Sequence, residues 1–205
     1  MGLVVRGGLR VEGEVEGATF MTVNHLDTDG LEAGIDYILD TPDDKGLVRM
    51  IVSRPETGIR KILKSASLDT IEGLIGDNWK DRGSSSTSDK SADPETQITI
   101  MNSRVIELIA HSSDRWKLAG DQLFIEIDIS RNNLPPGSKL KVGSAIIEVS
   151  GKPHTGCQKF SQRFGLDALK FVSTPMAREL CFRGINARVM KSGIVTVGDI
   201  VNKVL

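Results

Sequence analysis

Lys152-Pro153-His154-Thr155-Gly156-Cys157-Gln158-Lys159-Phe160 places a thiol just after a proline and a glycine, among basic and histidine side chains. Upstream, Ser144 to Ser150 reads as a β-strand; downstream, Gln158 to Phe164 reads as a helix. Cys157 therefore falls in a loop at a helix start. Unpaired N–H groups and the positive dipole end of a helix favour a thiolate there, and Lys152, Lys159 and Arg163 add positive charge. Unpaired cysteines are also among the most often buried residues, so position alone leaves Cys157 equally readable as reactive and as packed. The second cysteine, Cys181, sits in Arg178-Glu179-Leu180-Cys181-Phe182, between apolar neighbours with no turn residue adjacent, and reads as a packed core thiol.

Outward from this loop, short valine- and isoleucine-rich runs punctuated by many of the 21 glycines have the spacing of a β-rich barrel or sandwich. Leu47 to Ser53 reads as a strand stopped by Pro55. Gln97 to Met101 is another, after which Asn102 caps a helix carrying Val105, Ile106, Leu108 and Ile109. Leu123 to Ile129 alternates Leu123, Ile125, Ile127 and Ile129 inward with Glu126 and Asp128 outward, Phe124 being the exception. Asn132 to Gly137 is a turn. Leu140 to Ile147 and Val195 to Val201 each read as a strand, a tight glycine corner and a strand. Arg183 to Val189 returns to a β pattern, and Ile194 to Val204 closes a sheet. Two short helices, broken at Gly165 and stopped before Pro175, follow Cys157 and form a lid over the wall.

The remaining segments are read as follows. Met1 to Thr22 contains one or two strands. Asn24 to Lys45 is acidic but lacks the spacing of a calcium loop, so it is a solvated acidic loop. Gly58 to Gly73 has apolar residues at helical intervals. Gly73 to Trp79 is a glycine-bounded turn in which Asp77 pins the backbone and Trp79 supplies a core ring, or in which both line a pocket. Residues 83–96 are almost free of apolar side chains and read as a mobile surface loop.

The 205 residues fit one domain, 1–205. Lys plus Arg (26) balance Asp plus Glu (27), and aromatics make up 4%, so neither a basic field nor a stacking platform supports nucleic-acid binding. No apolar run is long enough to span a bilayer, and the N-terminus lacks a signal-peptide block. A cytoplasmic protein with reduced thiols and no membrane partner is expected. Zinc is disfavoured: three histidines and one available thiol do not supply its ligand set.

Gly76-Asp77, Gly120-Asp121, Pro135-Pro136-Gly137, Gly143, the Pro153-to-Phe160 run, Arg163-Phe164-Gly165, Arg183 to Val189 and Val197-Gly198-Asp199, in this order, resemble a MOSC domain, the family named for the C-terminal domain of molybdenum cofactor sulfurase. The resemblance covers residue 47 to the end. It implies a mainly β fold, a closed or partly closed β-barrel with a few peripheral helices, similar to the pyruvate-kinase barrel. It also implies that Cys157 is either the thiolate ligand of molybdenum in a pterin cofactor or a sulfur carrier, with some members reducing N-hydroxylated bases. Where many members carry Gly-Glu-Asn, this chain has Gly120-Asp121-Gln122.

On that resemblance Cys157 and His154 are the catalytic candidates. Lys152, Gly156, Lys159, Arg163, Arg183, Asp77 and Asp121 are the candidates for holding the molybdenum cofactor, the basic ones by contacting its phosphate. Lys159 is the nearest aldimine candidate for pyridoxal phosphate, but an exposed lysine at a helix start is far more often a solvated charge. Full-length sulfurases carry a pyridoxal-phosphate domain ahead of this one, for which the chain has no room. No Gly-x-Gly-x-x-Gly follows a strand, so a reductase of this kind takes electrons from a separate donor protein for a small-molecule substrate, whereas a carrier takes sulfur from a donor. The sequence leaves open whether two chains form a homodimer.

Overall fold

The structure, a computed structural model, describes residues 25–204. Its strands are β1 (Lys45–Ser53), β2 (Lys61–Leu63), β3 (Ser65–Asp69), β4 (Gly73–Leu74), β5 (Ile98–Asn102), β6 (Leu123–Ile125), β7 (Lys139–Val142), β8 (Ala145–Val149), β9 (Ile185–Lys191), β10 (Gly193–Thr196) and β11 (Ile200–Val204). Seven of them close a barrel in the order β1, β6, β5, β9, β8, β7, β11 and back to β1. The β5–β6 pair is parallel and the others in the ring are antiparallel. Closure leaves few open edges; β2 extends β1 past its contact with β11, and β10, β3 and β4 form a separate small sheet.

Alternating side chains divide the core into two layers. One fills the barrel, with Ile51, Ile100, Leu123, Ile125, Ile147 and Val201 among its members. The other lies between the barrel wall and the helices, where Met101, Phe124, Phe160, Phe164 and Phe182 meet Val105 and Ile106 of the helix Ser103–Ala110. Phe124 thus breaks the inward alternation of its strand because both faces of that strand are covered. Full burial of such a ring contributes roughly 1.5–3 kcal/mol.

The strand, corner, strand readings hold at Gly143 and Gly198, whose φ values of +59° and +94° suit glycine. Asn102 caps its helix by accepting from the N–H groups of Arg104 and Val105. The helices Gln158–Phe164 and Leu166–Phe171 are separated at Gly165, and a third, Pro175–Glu179, follows.

Three expectations are corrected. Gly58 to Gly73 is not helical: it forms β2 and β3, because Ser65 to Leu68 pair with β10, and a helix would have needed to bury Ile59, Ile62 and Ile71, which are exposed. The acidic segment after Asn24 is not a plain loop. It folds as two short helices, Thr28–Glu32, which Asp27 caps, and Ile35–Leu39, anchored by the buried Leu31 and Ile38 respectively. The ladder at Leu123 ends at Ile125, although Ile127 and Ile129 remain buried. The strands read in Met1 to Thr22 lie outside the described residues. Between Gly83 and Asp93 the loop has hydroxyls bonded to one another, and buried Asp93 fixes its end by capping the turn Pro94–Thr96.

Candidate functional site

One end of the barrel holds a buried chain of charge. Gly120 takes a left-handed φ of +92° and delivers Asp121 into the interior, where its side chain is fully buried. Arg183 Nη1 donates to Asp121 Oδ2 at 2.8 Å, and its Nη2 donates to the Ala119 carbonyl at 3.0 Å. His154 Nε2 lies 2.7 Å from Asp121 Oδ1. The ionised carboxylate has no proton to give, so Nε2–H is the donor, and Nδ1 is left as an acceptor. Burial first, and then the Arg183 charge 2.9 Å from the ring, pull His154 down to about 4; the imidazole is neutral at pH 7. Gln122 spans the wall by accepting from Thr99 N–H and donating to the Gln97 carbonyl.

Asp77 lies further along the same chain. Its carboxylate takes Nε and Nη2 of Arg54 at 2.8 and 2.9 Å and the N–H groups of Arg54 and Trp79, which uses its acceptor sites. Arg54 then donates from Nη1 to the Gly120 carbonyl at 3.0 Å, joining the two carboxylates into one lattice. Asp77 pins the turn and holds Arg54, and Trp79 is a core ring.

A cavity of about 420 Å³ opens beside this lattice, within the usual range for small-molecule sites. Lys152, His154, Gly156 and Arg183 all line it. Lys152 also pairs with Asp93 at 2.8 Å. A Cβ on Gly156 would meet the end of the Leu169 side chain, which would have to move. Cys157 itself is exposed at the N-cap of the helix Gln158–Phe164, and Lys159 is exposed in its first turn. Cys181, read from sequence as a core thiol, instead lies half-buried in the cavity wall with a φ of +53°. Burial is the main cause pushing its thiol above the ordinary cysteine range.

Arg163 does not line that cavity. Its Nη1 donates to the Leu118 carbonyl at 2.6 Å, and it sits in a group of guanidinium side chains with Arg54, Arg60 and Arg82. Burial, followed by the charges of Arg163 and Arg54, pulls Arg60 below the ordinary arginine value, and the Arg60 Nε is buried without a partner. Burial and Arg54 do the same to Arg82. Among the described residues, Arg60, Arg82 and Arg163 have no carboxylate partner. Arg54, Arg60 and Arg82 were missed from sequence because they lie far along the chain from Cys157, just past β1, just before β2 and at the end of the short helix Trp79–Arg82; only a three-dimensional closure gathers them. No group of three or more histidine, cysteine or acidic side chains suited to a metal ion occurs among the described residues.

The sequence profile of the MOSC domain matches residues 88–202. Among solved structures, the YUAD protein of Bacillus subtilis is 14% identical over 77% of this chain and 94% of that one, with a TM-score of 0.58. YiiM from Geobacillus stearothermophilus is 13% identical over 78% of this chain and 75% of that one, with a TM-score of 0.52. At these identities the likeness is one of fold. No curated protein matches the chain.

Proposed function

The chain belongs to the MOSC domain family, and from that premise we propose that it binds the molybdenum cofactor and reduces N-oxygenated substrates, with Cys157 as the protein ligand of the metal. The observation that carries this reading is Arg60, whose Nε is buried without a partner and whose side chain lies within reach of the Arg163, Arg54 and Arg82 charges, while the one carboxylate acting on it, Asp77, is already bound by Arg54. Converging guanidinium groups repel one another and cost stability unless an anion joins them, and a phosphate monoester matches their donor geometry. The pterin cofactor carries such a phosphate. Arg163 lies near the end of the helix that Cys157 caps, so the phosphate seat and the thiol share one element.

An exposed thiol suits a soft ligand for molybdenum. When bound, the molybdenum centre supplies a two-electron couple for cleaving an N–O bond. The substrate, R–NHOH, takes up two electrons and two protons and leaves as R–NH2 and water, with the electrons coming from a separate redox protein. His154 stays neutral and bonded to Asp121, so its part is to hold the shape of the loop ahead of Cys157 rather than to deliver a proton.

Exposure of Cys157 equally supports the second reading, a carrier that holds a persulfide and passes it to an acceptor. Protein expressed in a host that makes the cofactor separates the two. Molybdenum and pterin in the wild type, and neither metal nor turnover in Cys157→Ser, are expected for the reductase. Sulfane sulfur on Cys157 in metal-free protein, with no molybdenum in either form, would transfer the case to the carrier. Equal metal content in both forms removes Cys157 as the ligand.

A further inference from the structure

The 420 Å³ cavity has a wall whose charge is all of one sign. Arg131, Lys152, Arg178 and Arg183 line it, and no aspartate or glutamate does. Two of the four are already neutralised, Lys152 by Asp93 and Arg183 by Asp121. Arg131 and Arg178 have no carboxylate partner among the described residues, and both are exposed. Asp128 and Glu179 are close enough to act on the neighbouring Cys181 but form no part of the wall. Leu134, Val149, Val172 and Ile185 give the same cavity an apolar surface. Gly156, the residue before the exposed thiol, belongs to the same wall, whereas Cys157 itself does not.

We propose that this cavity selects substrates bearing an organic oxyanion: an apolar body lies against Leu134, Val172 and Ile185, and a carboxylate is held by Arg131 and Arg178. This rests on the reductase reading for what happens at the other end of the molecule, but the anion seat does not need it. A neutral compound of equal shape gains the apolar contact and leaves both guanidinium groups facing only water. A carboxylate takes charge-assisted hydrogen bonds from a guanidinium, whose fork of N–H groups matches its two oxygens. The seat is distinct from the Arg60, Arg82 and Arg163 group, none of which lines the cavity.

The test uses two probes of one shape, an aryl amidoxime with a para carboxylate and its para carboxamide. Calorimetric binding to the cofactor-free chain is expected to favour the carboxylate by about tenfold or more, with affinity falling as salt rises. In the double variant Arg131→Ala, Arg178→Ala that preference should vanish, while its thermal midpoint stays with the wild type because both side chains are on the surface. In the loaded enzyme, with reduced methyl viologen as donor, the same change should collapse the ratio of kcat/KM values for the two probes.

Equal affinity for both probes in the wild type overturns the proposal. So does a preference that survives in the double variant, or a double variant that loses its pterin content, which would make the cavity the seat of the cofactor itself. If binding discriminates as stated but the loaded enzyme reduces neither probe, the anion seat stands and the reductase reading falls.

Discussion

His154 Nε2 and Asp121 Oδ1 lie 2.7 Å apart in the barrel end, with Arg183 touching both. The three form a unit in which one carboxylate serves two partners, and the arginine takes the compensating charge. The ring is left with no reason to be protonated, since Arg183 already balances Asp121 and burial penalises a second cation.

That arrangement fixes a pH dependence. The folded value of about 4 lies below the ordinary 6.5, so the unfolded chain binds this proton more readily than the folded one. The stability that His154 contributes is fully present above pH 6.5 and is lost as pH falls toward 4, amounting to about 3 kcal/mol. Replacing it with a neutral residue, His154→Gln, removes the term. Urea unfolding of both proteins between pH 7 and 4 should show the wild type losing ground to the variant by about that amount; parallel curves would mean that the ring is charged or exposed.

Asp121→Asn tests the other partner. The substitution keeps the shape but leaves Arg183, also buried, as an unbalanced cation. Removing one side of a buried pair costs about 3–5 kcal/mol, where removing an exposed one costs less than 1. The unfolding midpoint in urea should therefore drop sharply with an unchanged slope. A loss below about 1 kcal/mol would show that water reaches Arg183.

The arginine group predicts the opposite sign. Arg60→Ala removes one of several converging positive charges, so the cofactor-free protein should be no less stable than wild type, while its pterin content after expression falls. Inorganic phosphate offers a readout without the cofactor. At ten times its dissociation constant a ligand of the folded state adds about 1.4 kcal/mol, so phosphate should raise the wild-type thermal midpoint and leave that of Arg60→Ala in place. Midpoints that rise equally would remove the group as an anion seat.

The barrel was legible wherever a strand has one face in each core layer or a glycine marks a corner, as at Gly143 and Gly198. Phe124 looked anomalous only because the second, helical layer lies beyond the reach of a period-two pattern. The loop before Cys157 was legible for a local reason, a proline and a glycine next to a helix start. Arg54, Arg60 and Arg82 were not, because what makes them notable is the charges around them, Asp77 for Arg54 and other guanidinium groups for Arg60 and Arg82, and such neighbours are a property of closure. Cys181 misled for the same reason: its neighbours in sequence are apolar, but a φ of +53° turns it to the cavity wall.

Closure itself depends on one residue. At Gly46, β1 passes from pairing with β11, where Gly46 faces Val201, to pairing with β6 from Val48 onward. A Cβ on Gly46 would overlap the Glu126 carbonyl, and Glu126 is anchored by its N–H, which donates to the Leu47 carbonyl at 2.8 Å. Neither backbone has room to yield, so Gly46→Ala must open the seam or shift β6. Overpacking of this kind costs about 1–3 kcal/mol. The seam is also closed by Val48 N–H donating to the Asp199 carbonyl and Gly198 N–H donating to the Val48 carbonyl. In the variant, hydrogen exchange at the Val48 and Gly198 amides should accelerate far more than at Ile147 in the opposite wall, because the barrel opens where β1 meets β11. Uniform acceleration across all three would mean that the ring unfolds as one unit and that Gly46 is not its latch.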